Sequence, residues 1–249
     1  MKISVITVCF NSRQTIAQTL ASVRAQTHTD VEHLIIDGGS TDGTHEVIAR
    51  EGQHVARVLS EPDHGIYDAM NKGVRIATGD IVGFLNADDH YAFPGVLARV
   101  AQAMDARELD ATLGDVGFFR TERPGDVVRR YRSGKFKPSL LGWGWMPAHP
   151  AAFFRRQLFA EIGGFKIDYR IAGDYEWIAR AFSRRPLRYE HIPEILVLMQ
   201  AGGVSNSGLR STLRLNREVM RACRENGIPT NWLKLLSKYP AKFLEYFRP

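Results

Sequence analysis

Short apolar runs alternate with amphipathic segments through the first half of the chain. The runs are rich in β-branched residues and predict four buried strands, at 2–10, 31–37, 55–59 and 81–85. Between the strands, apolar residues recur at helical spacing, as at Ile16, Leu20 and Val23. Because strand and helix alternate four times, the pattern predicts an α/β fold built from parallel, right-handed βαβ units.

The second half of the chain mixes shorter elements with charged loops. Helical spacing predicts three helices, at 94–104, 156–162 and 174–182. The end of the chain is also predicted to be mostly helical. Apolar runs predict two strands and two shorter edge-type strands, at 112–119, 151–154, 187–189 and 195–199. The chain shows no internal repeat and no low-complexity linker, so we expect one compact unit.

The composition is that of an ordinary globular protein. Of the 249 residues, 44% are hydrophobic and 24% are charged. No apolar run approaches the ~20 residues that a membrane-spanning helix needs, and the first residues enter a strand pattern without a signal peptide's cleavage region. Cys9 and Cys223 suit neither a zinc site nor a disulfide framework. We therefore expect a cytoplasmic protein.

The positive charge is concentrated at the end of the chain. The net charge is +6, and residues 207–249 contain nine Lys or Arg against three Asp or Glu, which also gives +6. Five arginines at spacings of four and three predict a basic helical stripe: Arg210, Arg214, Arg217, Arg221 and Arg224. No zinc-finger, homeodomain or RNP signature accompanies the charge, so we expect no nucleic acid partner. With the apolar and aromatic residues after Pro229, the stripe predicts peripheral binding to an anionic membrane; packing on the rest of the protein is the alternative.

Two adjacent carboxylates, Asp88 and Asp89, follow the fourth predicted strand, and Asn86 precedes them. Ligands of open α/β sheets collect where parallel strands end, and hard oxygen donors at such a place suit Mg²⁺ or Mn²⁺. The alternative is that the two carboxylates cap the next helix, because Asp is a good N-cap. This stretch alone leaves both interpretations open.

Several motifs occur in an order that resembles family 2 glycosyltransferases, which have the GT-A fold. The matching motifs lie at 4–11, 36–44, 61–73, 84–89, 163–165 and 173–176. The resemblance implies a mixed central sheet and a glycosyltransferase domain at 1–206, with a Rossmann-like nucleotide-sugar-binding half at 1–104, an acceptor-binding half at 105–206 and a basic amphipathic tail at 207–249. The motif at 61–73 is similar to the branch that acts in bacterial exopolysaccharide and glycolipid assembly.

The resemblance also implies that the ends of the first two strands bind the nucleoside of a UDP- or GDP-sugar. Thr7, Asn11 and Asp37 stand at the corresponding positions. A hydrogen bond from a carboxylate to ribose or uracil is charge-assisted and selective. The structural alternatives are that Asp37 stabilises the following glycine turn and that Asn11 caps the first helix.

For the metal, the resemblance assigns Asp89 as the main ligand and places Asp88 near the ribose, as a second ligand; the reverse order stays open. The ion, Mn²⁺ or Mg²⁺, would act as a Lewis acid that holds the departing diphosphate. Asn86 stands where many relatives have aspartate, so metal binding is expected to depend more on Asp89 and on the diphosphate itself.

Two further residues are expected near the diphosphate. Lys72 would reach a phosphate, unless it only forms an ion pair with Asp68 one helical turn earlier. Ser205 lies in a glycine-containing loop that resembles a flexible loop closing over the diphosphate; a simple surface loop is the alternative.

Asp174 is the expected catalytic base, because family 2 enzymes are generally inverting and need a carboxylate to deprotonate the acceptor hydroxyl. It matches the second position of the family's Glu-Asp motif, whereas Gly173 replaces the first; an N-cap is its alternative role. Trp143, Trp145 and His149 lie between the two halves, where they are expected to bind a glycan or polyprenyl-linked acceptor. Aromatic clusters of this kind also occur in protein cores. The alternatives for His149 are a hydrogen bond to a phosphate, a place in the metal shell, or a structural imidazole.

The sequence therefore predicts a metal-dependent inverting glycosyltransferase that moves a sugar from a nucleoside diphosphate to a hydroxyl of a glycan or lipid-linked acceptor. One alternative is a catalytically silent nucleotide-binding scaffold of a polysaccharide assembly complex, against which Asp88, Asp89 and Asp174 argue. A nucleotidyltransferase would need a glycine-rich basic phosphate loop after the first strand, and residues 10–12 do not form one.

Overall fold

The structure, a computed structural model, describes residues 1–120, 123–200 and 209–237. The described strands are β1 (Ile3–Cys9), β2 (Val31–Asp37), β3 (Val55–Ser60), β4 (Ile81–Phe84), β5 (Asp89–Tyr91), β6 (Ala111–Arg120), β7 (Arg123–Tyr131), β8 (Ala152–Arg155) and β9 (Tyr189–Gln200). The described helices are α1 (Ile16–Arg24), α2 (Thr44–Glu51), α3 (Ile66–Ile76), α4 (Val96–Ala106), α5 (Gln157–Ile162), α6 (Gly173–Arg184), α7 (Leu209–Glu225) and α8 (Trp232–Leu236).

The strands form one mixed sheet in the order β3-β2-β1-β4-β8-β6-β9-β5, and β7 pairs with β6. The first four strands are parallel to one another, as the alternating sequence pattern predicts. The strand order reverses at β1, because β2 and β3 lie on one side of it and β4 lies on the other. Ligands of open α/β sheets bind at such a switch point, at the carboxyl ends of the strands. Here these ends are Cys9 and Phe84.

Two expectations for the second half are wrong. Tyr189, the last residue of the segment at 187–189, and the whole segment at 195–199 belong to one strand, β9, which pairs with β6 on one side and with β5 on the other. Glu190, His191 and Glu194 interrupt its apolar pattern, and the pairing with β6 has a register irregularity beside Asp115. The charged segment that forms β7 was expected to be a loop; its antiparallel pairing with β6 makes it a strand.

Helices cover both faces of the sheet because alternate strand residues point to opposite sides. Ile6 and Val8 of β1 belong to a core shared with α3, α5, α6 and α7, whereas Ile3 and Val5 lie in the core shared with α1 and α4. In the first core, the ring of Phe159 stacks on that of Trp177, with centroids 4.4 Å apart.

The described part of the tail packs on the rest of the protein through one face. Val219, Met220 and Cys223 of α7 are buried in the first core, while the five arginines of the stripe are exposed. Among the described helices, none has the length and hydropathy of a membrane span. The predicted domain boundaries stay predictions, and the one at 206 lies outside the described residues.

Candidate functional site

The turn between β4 and β5 presents one exposed and one buried carboxylate. Asp88 is exposed, whereas Asp89 begins β5 and is 1% exposed. The backbone N–H of Asp89 donates to the carbonyl oxygen of Asn86 at 3.0 Å. The hydroxyl of Thr19 on α1 donates to the carbonyl oxygen of Asp89 at 2.7 Å. No helix begins here, since α4 starts only at Val96. The helix-cap alternative for the two carboxylates is therefore wrong.

Asn86 has a buried acceptor without a partner. Its side-chain NH₂ donates to Oδ2 of Asp89 at 3.2 Å, while its own Oδ1 is buried and accepts no hydrogen bond from any described residue. Burial raises the pKa of Asp89 well above its usual value, and the charge of Asp88 raises it further. Two carboxylates and an unsatisfied amide oxygen are hard donors of the kind that Mg²⁺ and Mn²⁺ prefer.

The protein alone supplies only part of a metal coordination shell. Within the described residues, no group of three or more His, Cys, Asp or Glu is arranged to hold an ion. Mg²⁺ in nucleotide sites is commonly held by one or two carboxylates together with substrate phosphates. The turn after β4 fits this incomplete kind of site.

Asp37 ends β2 and accepts several hydrogen bonds from its own turn. Its Oδ2 accepts from the N–H groups of Gly39 and Ser40 at 3.1 and 2.9 Å. The same oxygen accepts from the hydroxyl of Ser60 at 2.8 Å and lies 3.0 Å from Nε2 of His45. Burial opposes the charge, but the hydrogen bonds from Ser40 and Ser60 outweigh it and lower the pKa of Asp37. The side chain is 0% exposed, so it stabilises the turn; its contact with a nucleoside stays a prediction.

Asn11 connects the loop after β1 to the loop after β2. Its N–H donates to Oγ of Ser40 at 2.7 Å, and its Oδ1 accepts from the N–H of Thr41 at 3.0 Å. Its φ of 50° lies in the left-handed region, which Asn tolerates better than most residues. These contacts replace the predicted helix cap, because α1 begins later and without a side-chain cap. Thr7 lies inside β1, fully buried, with its hydroxyl 3.0 Å from Nε2 of His33.

Phe10 is an exposed aromatic residue at the end of β1 that the hydrophobic pattern does not single out. It is 63% exposed and lies beside Gly38. A Cβ at position 38 would be 3.4 Å from the Phe10 ring, an ordinary contact, and 2.4 Å from Oδ2 of Asp63, so a side chain there would displace the Asp63 carboxylate. The hydrophobic pattern includes Phe10 in the buried strand predicted at 2–10, so its exposure was not predicted.

Lys72 of α3 is held by the segment that precedes its helix. Its Nζ donates to the carbonyl oxygen of Pro62 at 2.7 Å and lies 2.9 Å from Oε1 of Glu61. The predicted ion pair with Asp68 is present at 3.8 Å, but Glu61 is the closer partner. A contact between Lys72 and a phosphate stays a prediction. Ser205 lies outside the described residues.

Asp174 lies in the first turn of α6, whose N-cap residue is Ala172, so the N-cap alternative is wrong. Its Oδ1 accepts from the N–H of Tyr175 at 2.8 Å and from the hydroxyl of Tyr67 at 3.3 Å. None of the described hydrogen bonds involves Oδ2. Burial raises the pKa of Asp174, while the nearby His149 lowers it. A carboxylate with one open oxygen and a raised pKa has the features of a general base.

Tyr67 explains why Gly173 precedes the expected base. The Tyr67 ring packs on this glycine, and a Cβ there would be 2.7 Å from two ring carbons. The hydroxyl of Tyr67 donates to the carbonyl oxygen of Ile171 at 2.6 Å as well as to Asp174. A side chain at position 173, such as the acid of the family motif, would displace the ring. Tyr67 was not among the predicted site residues, although it stands in the motif at 61–73.

His149 connects the region of Asp174 to the end of β4. Its ring stacks on that of Phe84 with centroids 5.2 Å apart and meets the ring of Phe165 edge-on at 5.8 Å. Burial lowers the pKa of His149, while the charge of Asp174 raises it. Its Nε2 is buried and has no partner among the described residues. Asp174, the imidazole of His149 and the last residue of β4 therefore lie close together.

Of the two predicted tryptophans, Trp143 contacts the tail. Trp143 is 41% exposed, and Nζ of Lys234 on α8 is 5.5 Å from the centre of its ring. Trp145 is half-buried. The structure thus brings His149 close to Asp174 and places Trp143 under α8. Acceptor binding by these three side chains stays a prediction.

The fold is that of the GT-A glycosyltransferases. The chain superposes on Staphylococcus aureus TarS 1–349 in complex with UDP-GlcNAc with a TM-score of 0.69 and 18% identity, covering 89% of this chain and 66% of that one. It superposes on a mannosyltransferase from Pyrobaculum calidifontis in complex with GDP-Man and Mn²⁺ with a TM-score of 0.63 and 23% identity, covering 88% and 64%. The predicted GT-A fold is confirmed.

Sequence comparison identifies the family. Residues 4–163 match the family model of glycosyl transferase family 2, and the chain belongs to that family. A PGL/p-HBAD biosynthesis glycosyltransferase of Mycobacterium bovis is 34% identical over 213 residues, which cover 82% of this chain and 79% of the relative. An uncharacterised glycosyltransferase of Mycobacterium tuberculosis is 38% identical over 180 residues, which cover 72% and 68%. The predicted family is confirmed.

Proposed function

We propose that this protein is an inverting glycosyltransferase that moves a sugar from a nucleoside diphosphate to a hydroxyl of a glycan or lipid-linked acceptor in bacterial glycolipid or polysaccharide synthesis. The observation that carries the proposal is Asp174, a partly exposed carboxylate with a raised pKa that lies near His149. His149 in turn stacks on Phe84, two residues before the turn that contains the other carboxylates. The relative named for PGL/p-HBAD biosynthesis supports a glycolipid product.

The donor we propose is a UDP- or GDP-sugar bound at the ends of β1, β2 and β4. Structural neighbours solved with UDP-GlcNAc and with GDP-Man support this class of donor. The exposed ring of Phe10 offers a surface on which a nucleobase can stack. Asn11 and Asp37 shape the loops at these strand ends, and Thr7 lies inside β1. Contacts of Thr7 with the nucleoside, and of Lys72 and Ser205 with the diphosphate, are part of the proposal.

The metal we propose at the turn after β4 is Mn²⁺ or Mg²⁺. Asp88 would be the ligand that an ion arriving with the diphosphate meets first, because it is exposed while Asp89 is buried. The family resemblance implies Asp89 as the main ligand, whereas this exposure favours Asp88 in that role. Asp89 and the open Oδ1 of Asn86 would then lie behind Asp88. When bound, the ion supplies positive charge to the departing diphosphate.

Asp174 performs the proton transfer in this proposal. Its Oδ2 takes the proton of the acceptor hydroxyl while that oxygen attacks the anomeric carbon from the face opposite the diphosphate. The bond between the anomeric carbon and the diphosphate oxygen breaks with its electron pair on the diphosphate, so the anomeric configuration inverts. Tyr67 holds Oδ1 of Asp174 and thereby orients the carboxylate.

A nucleotide-binding and turnover experiment tests the function. The full chain is heated with UDP, GDP, UDP-GlcNAc or GDP-mannose in the presence of Mn²⁺, and we expect one nucleotide series to raise Tm by mass action. Release of the matching nucleoside diphosphate from its sugar is then measured. A protein that no nucleotide stabilises contradicts the proposal, and one that binds but never releases a diphosphate is the silent scaffold.

We also propose that the outer face of α7 and α8 binds an anionic membrane surface. The five exposed arginines of α7 lie beside exposed apolar side chains, namely Leu213, Trp232, Leu233 and Leu236. Arg217, Arg221 and Trp232 line the same shallow depression. Basic and apolar groups on one surface are typical of interfacial helices, and each basic residue near anionic lipid contributes about 1 kcal/mol.

Vesicle sedimentation tests the membrane proposal. We expect the full chain to pellet with anionic vesicles at low salt, and the double variant Arg214→Glu/Arg217→Glu to remain in the supernatant. Arg57→Glu/Arg75→Glu is the matched control, since it makes the same charge change at exposed positions outside the tail. Equal binding by both double variants, or failure of the full chain to bind at any salt concentration, contradicts the proposal.

A further inference from the structure

Glu218 on α7 accepts hydrogen bonds from three consecutive backbone N–H groups just before α6. Its Oε2 accepts from Ile171 and Ala172, both at 2.8 Å, and its Oε1 accepts from Arg170 at 3.2 Å. Hydrogen bonds to a carboxylate are stronger than those between neutral groups. One side chain of the tail therefore fixes the backbone that leads into the helix of the expected base.

The same backbone is held from the opposite side by α3. The carbonyl oxygen of Ile171 accepts from the hydroxyl of Tyr67 at 2.6 Å, and the N–H of the same residue donates to Glu218. Two elements distant in sequence thus hold the peptide groups on both sides of one residue. The segment at 170–172 is constrained between α7 and α3.

The constraint acts directly on Asp174. This residue follows Ala172 by two positions, and Tyr67 contacts both the held segment and Oδ1 of Asp174. A shift of about 1 Å in a reacting group can cost a factor of about 10² in rate. Moving the segment would therefore move the carboxylate relative to the acceptor hydroxyl.

We propose that Glu218 is a positioning residue that sets the location of the Asp174 carboxylate for sugar transfer. The inference rests on the proposed function, since it assumes that Asp174 is the base. Glu218 lies beyond the segment at 4–163 that the family model matches. It is also one of two acidic residues in a helix that carries five exposed arginines. The tail then has a role in catalysis besides its proposed contact with membranes.

Glu225 offers a matched control on the same helix. It accepts hydrogen bonds from Nζ of Lys166 at 2.7 Å and from the hydroxyl of Tyr169 at 2.9 Å. It therefore attaches the preceding part of the same loop to α7 without contacting the backbone at 170–172. If loop attachment alone matters, Glu225→Gln and the variants of Glu218 will behave alike.

The experiment compares the full chain with Glu218→Ala, Glu218→Gln and Glu225→Gln. Hydrolysis of UDP-GlcNAc and of GDP-mannose in the presence of Mn²⁺ gives kcat and KM, with water in place of the acceptor. Amide hydrogen exchange of residues 170–172 and Tm are measured in parallel. We expect Glu218→Ala to lose exchange protection at 170–172 and to lower kcat about 10- to 100-fold at an unchanged KM for the nucleotide sugar.

Glu218→Gln should recover part of kcat, because its remaining carbonyl oxygen can still accept from Ile171 and Ala172. Glu225→Gln should lower Tm and leave kcat and the protection at 170–172 unchanged. If the wild type is active and Glu218→Ala is equally active, the positioning role is wrong and the proposed function stands. The positioning role is also wrong if Glu225→Gln loses as much kcat as Glu218→Ala does. A wild type that hydrolyses neither compound contradicts the proposed function, and the positioning role fails with it.

Discussion

Asp37 and Asp174 are both carboxylates near the proposed reaction site, but their surroundings differ. Asp37 ends a parallel strand, and its Oδ2 alone accepts from two backbone N–H groups and one hydroxyl. These bonds lower its pKa against the effect of burial. Asp174 has its described hydrogen bonds at Oδ1 only, and burial raises its pKa. Hydrogen bonds therefore stabilise the anion of Asp37, whereas burial favours the protonated form of Asp174.

A similar difference separates Asn11, Asp37 and Lys72 from Asn86 and His149. Asn11, Asp37 and Lys72 have their polar atoms engaged by neighbouring loops. Oδ1 of Asn86 and Nε2 of His149 are buried without a partner among the described residues. An unsatisfied buried group costs about 1–3 kcal/mol, so such groups are expected where a ligand completes them. In the proposed function, the satisfied loops give the site its shape, and the unsatisfied groups of Asn86 and His149 are those that a ligand would complete.

The largest expected effect is on turnover in Asp174→Asn. The amide keeps the shape of the side chain but takes no proton, so we expect kcat for release of the nucleoside diphosphate to fall about 10²–10⁴-fold. Tm at pH 7 should not fall. A carboxyl with a raised folded-state pKa loses stability as pH rises from its unfolded to its folded pKa, and the amide removes this cost.

Asp168→Asn is the matched control for that measurement. Asp168 is an exposed carboxylate six residues earlier, paired with Arg221. We expect its turnover to stay within about twofold of wild type, because surface ion pairs contribute little. If Asp174→Asn keeps wild-type turnover, Asp174 is not the base and the silent scaffold becomes the better interpretation.

The second expected effect is on stability in Asp37→Asn. The side-chain NH₂ of asparagine would face N–H donors of the turn, so we expect a loss of about 3 kcal/mol in the free energy of unfolding at pH 7. The folded-state pKa of Asp37 is lowered. Its contribution is therefore full above the unfolded pKa and is lost as pH falls through the folded one. Urea unfolding at pH 7 and below pH 4 should show the difference between variant and wild type shrinking in acid.

Asp30→Asn provides the control for Asp37→Asn, because Asp30 is an exposed carboxylate just before the other end of β2. Its effect should stay within about 0.5 kcal/mol. An Asp37→Asn protein as stable as wild type would show that the hydrogen bonds of the turn do not depend on the charge.

The well-predicted parts of the chain are those whose pattern is local. β1 to β4 and their helices follow from apolar runs and helical spacing, and β2 spans 31–37 as predicted. β7 was not predicted because many of its residues are charged. It forms a strand because it pairs with β6, and its own sequence pattern does not show this pairing. The two predicted edge strands merged into β9 because β5 and β6 pair with it from both sides.

The partners of the site residues were harder to predict than the residues themselves. Glu61 is the closest acidic partner of Lys72 because the segment before α3 folds back onto that helix. The contact of Glu218 with Ile171 joins positions 47 residues apart. Spacing within one element carries no information on such contacts, since they arise only when the elements pack. Residue identity at the ends of strands was therefore predictable, and the hydrogen-bonding state of each group was not.

The smallest expected effect concerns the amide among the carboxylates. Asn86→Asp places a third carboxylate beside Asp88 and Asp89, at the oxygen that is now buried without a partner. Affinity for a hard cation rises with the charge of its ligands, so we expect Mn²⁺ to bind about tenfold more tightly at neutral pH, measured by titration with and without UDP or GDP. Asn231→Asp is the control, because it adds the same charge at an exposed cap of α8 and should leave Mn²⁺ binding unchanged. Equal Mn²⁺ affinity in wild type and Asn86→Asp would mean that the open oxygen of Asn86 does not face the metal.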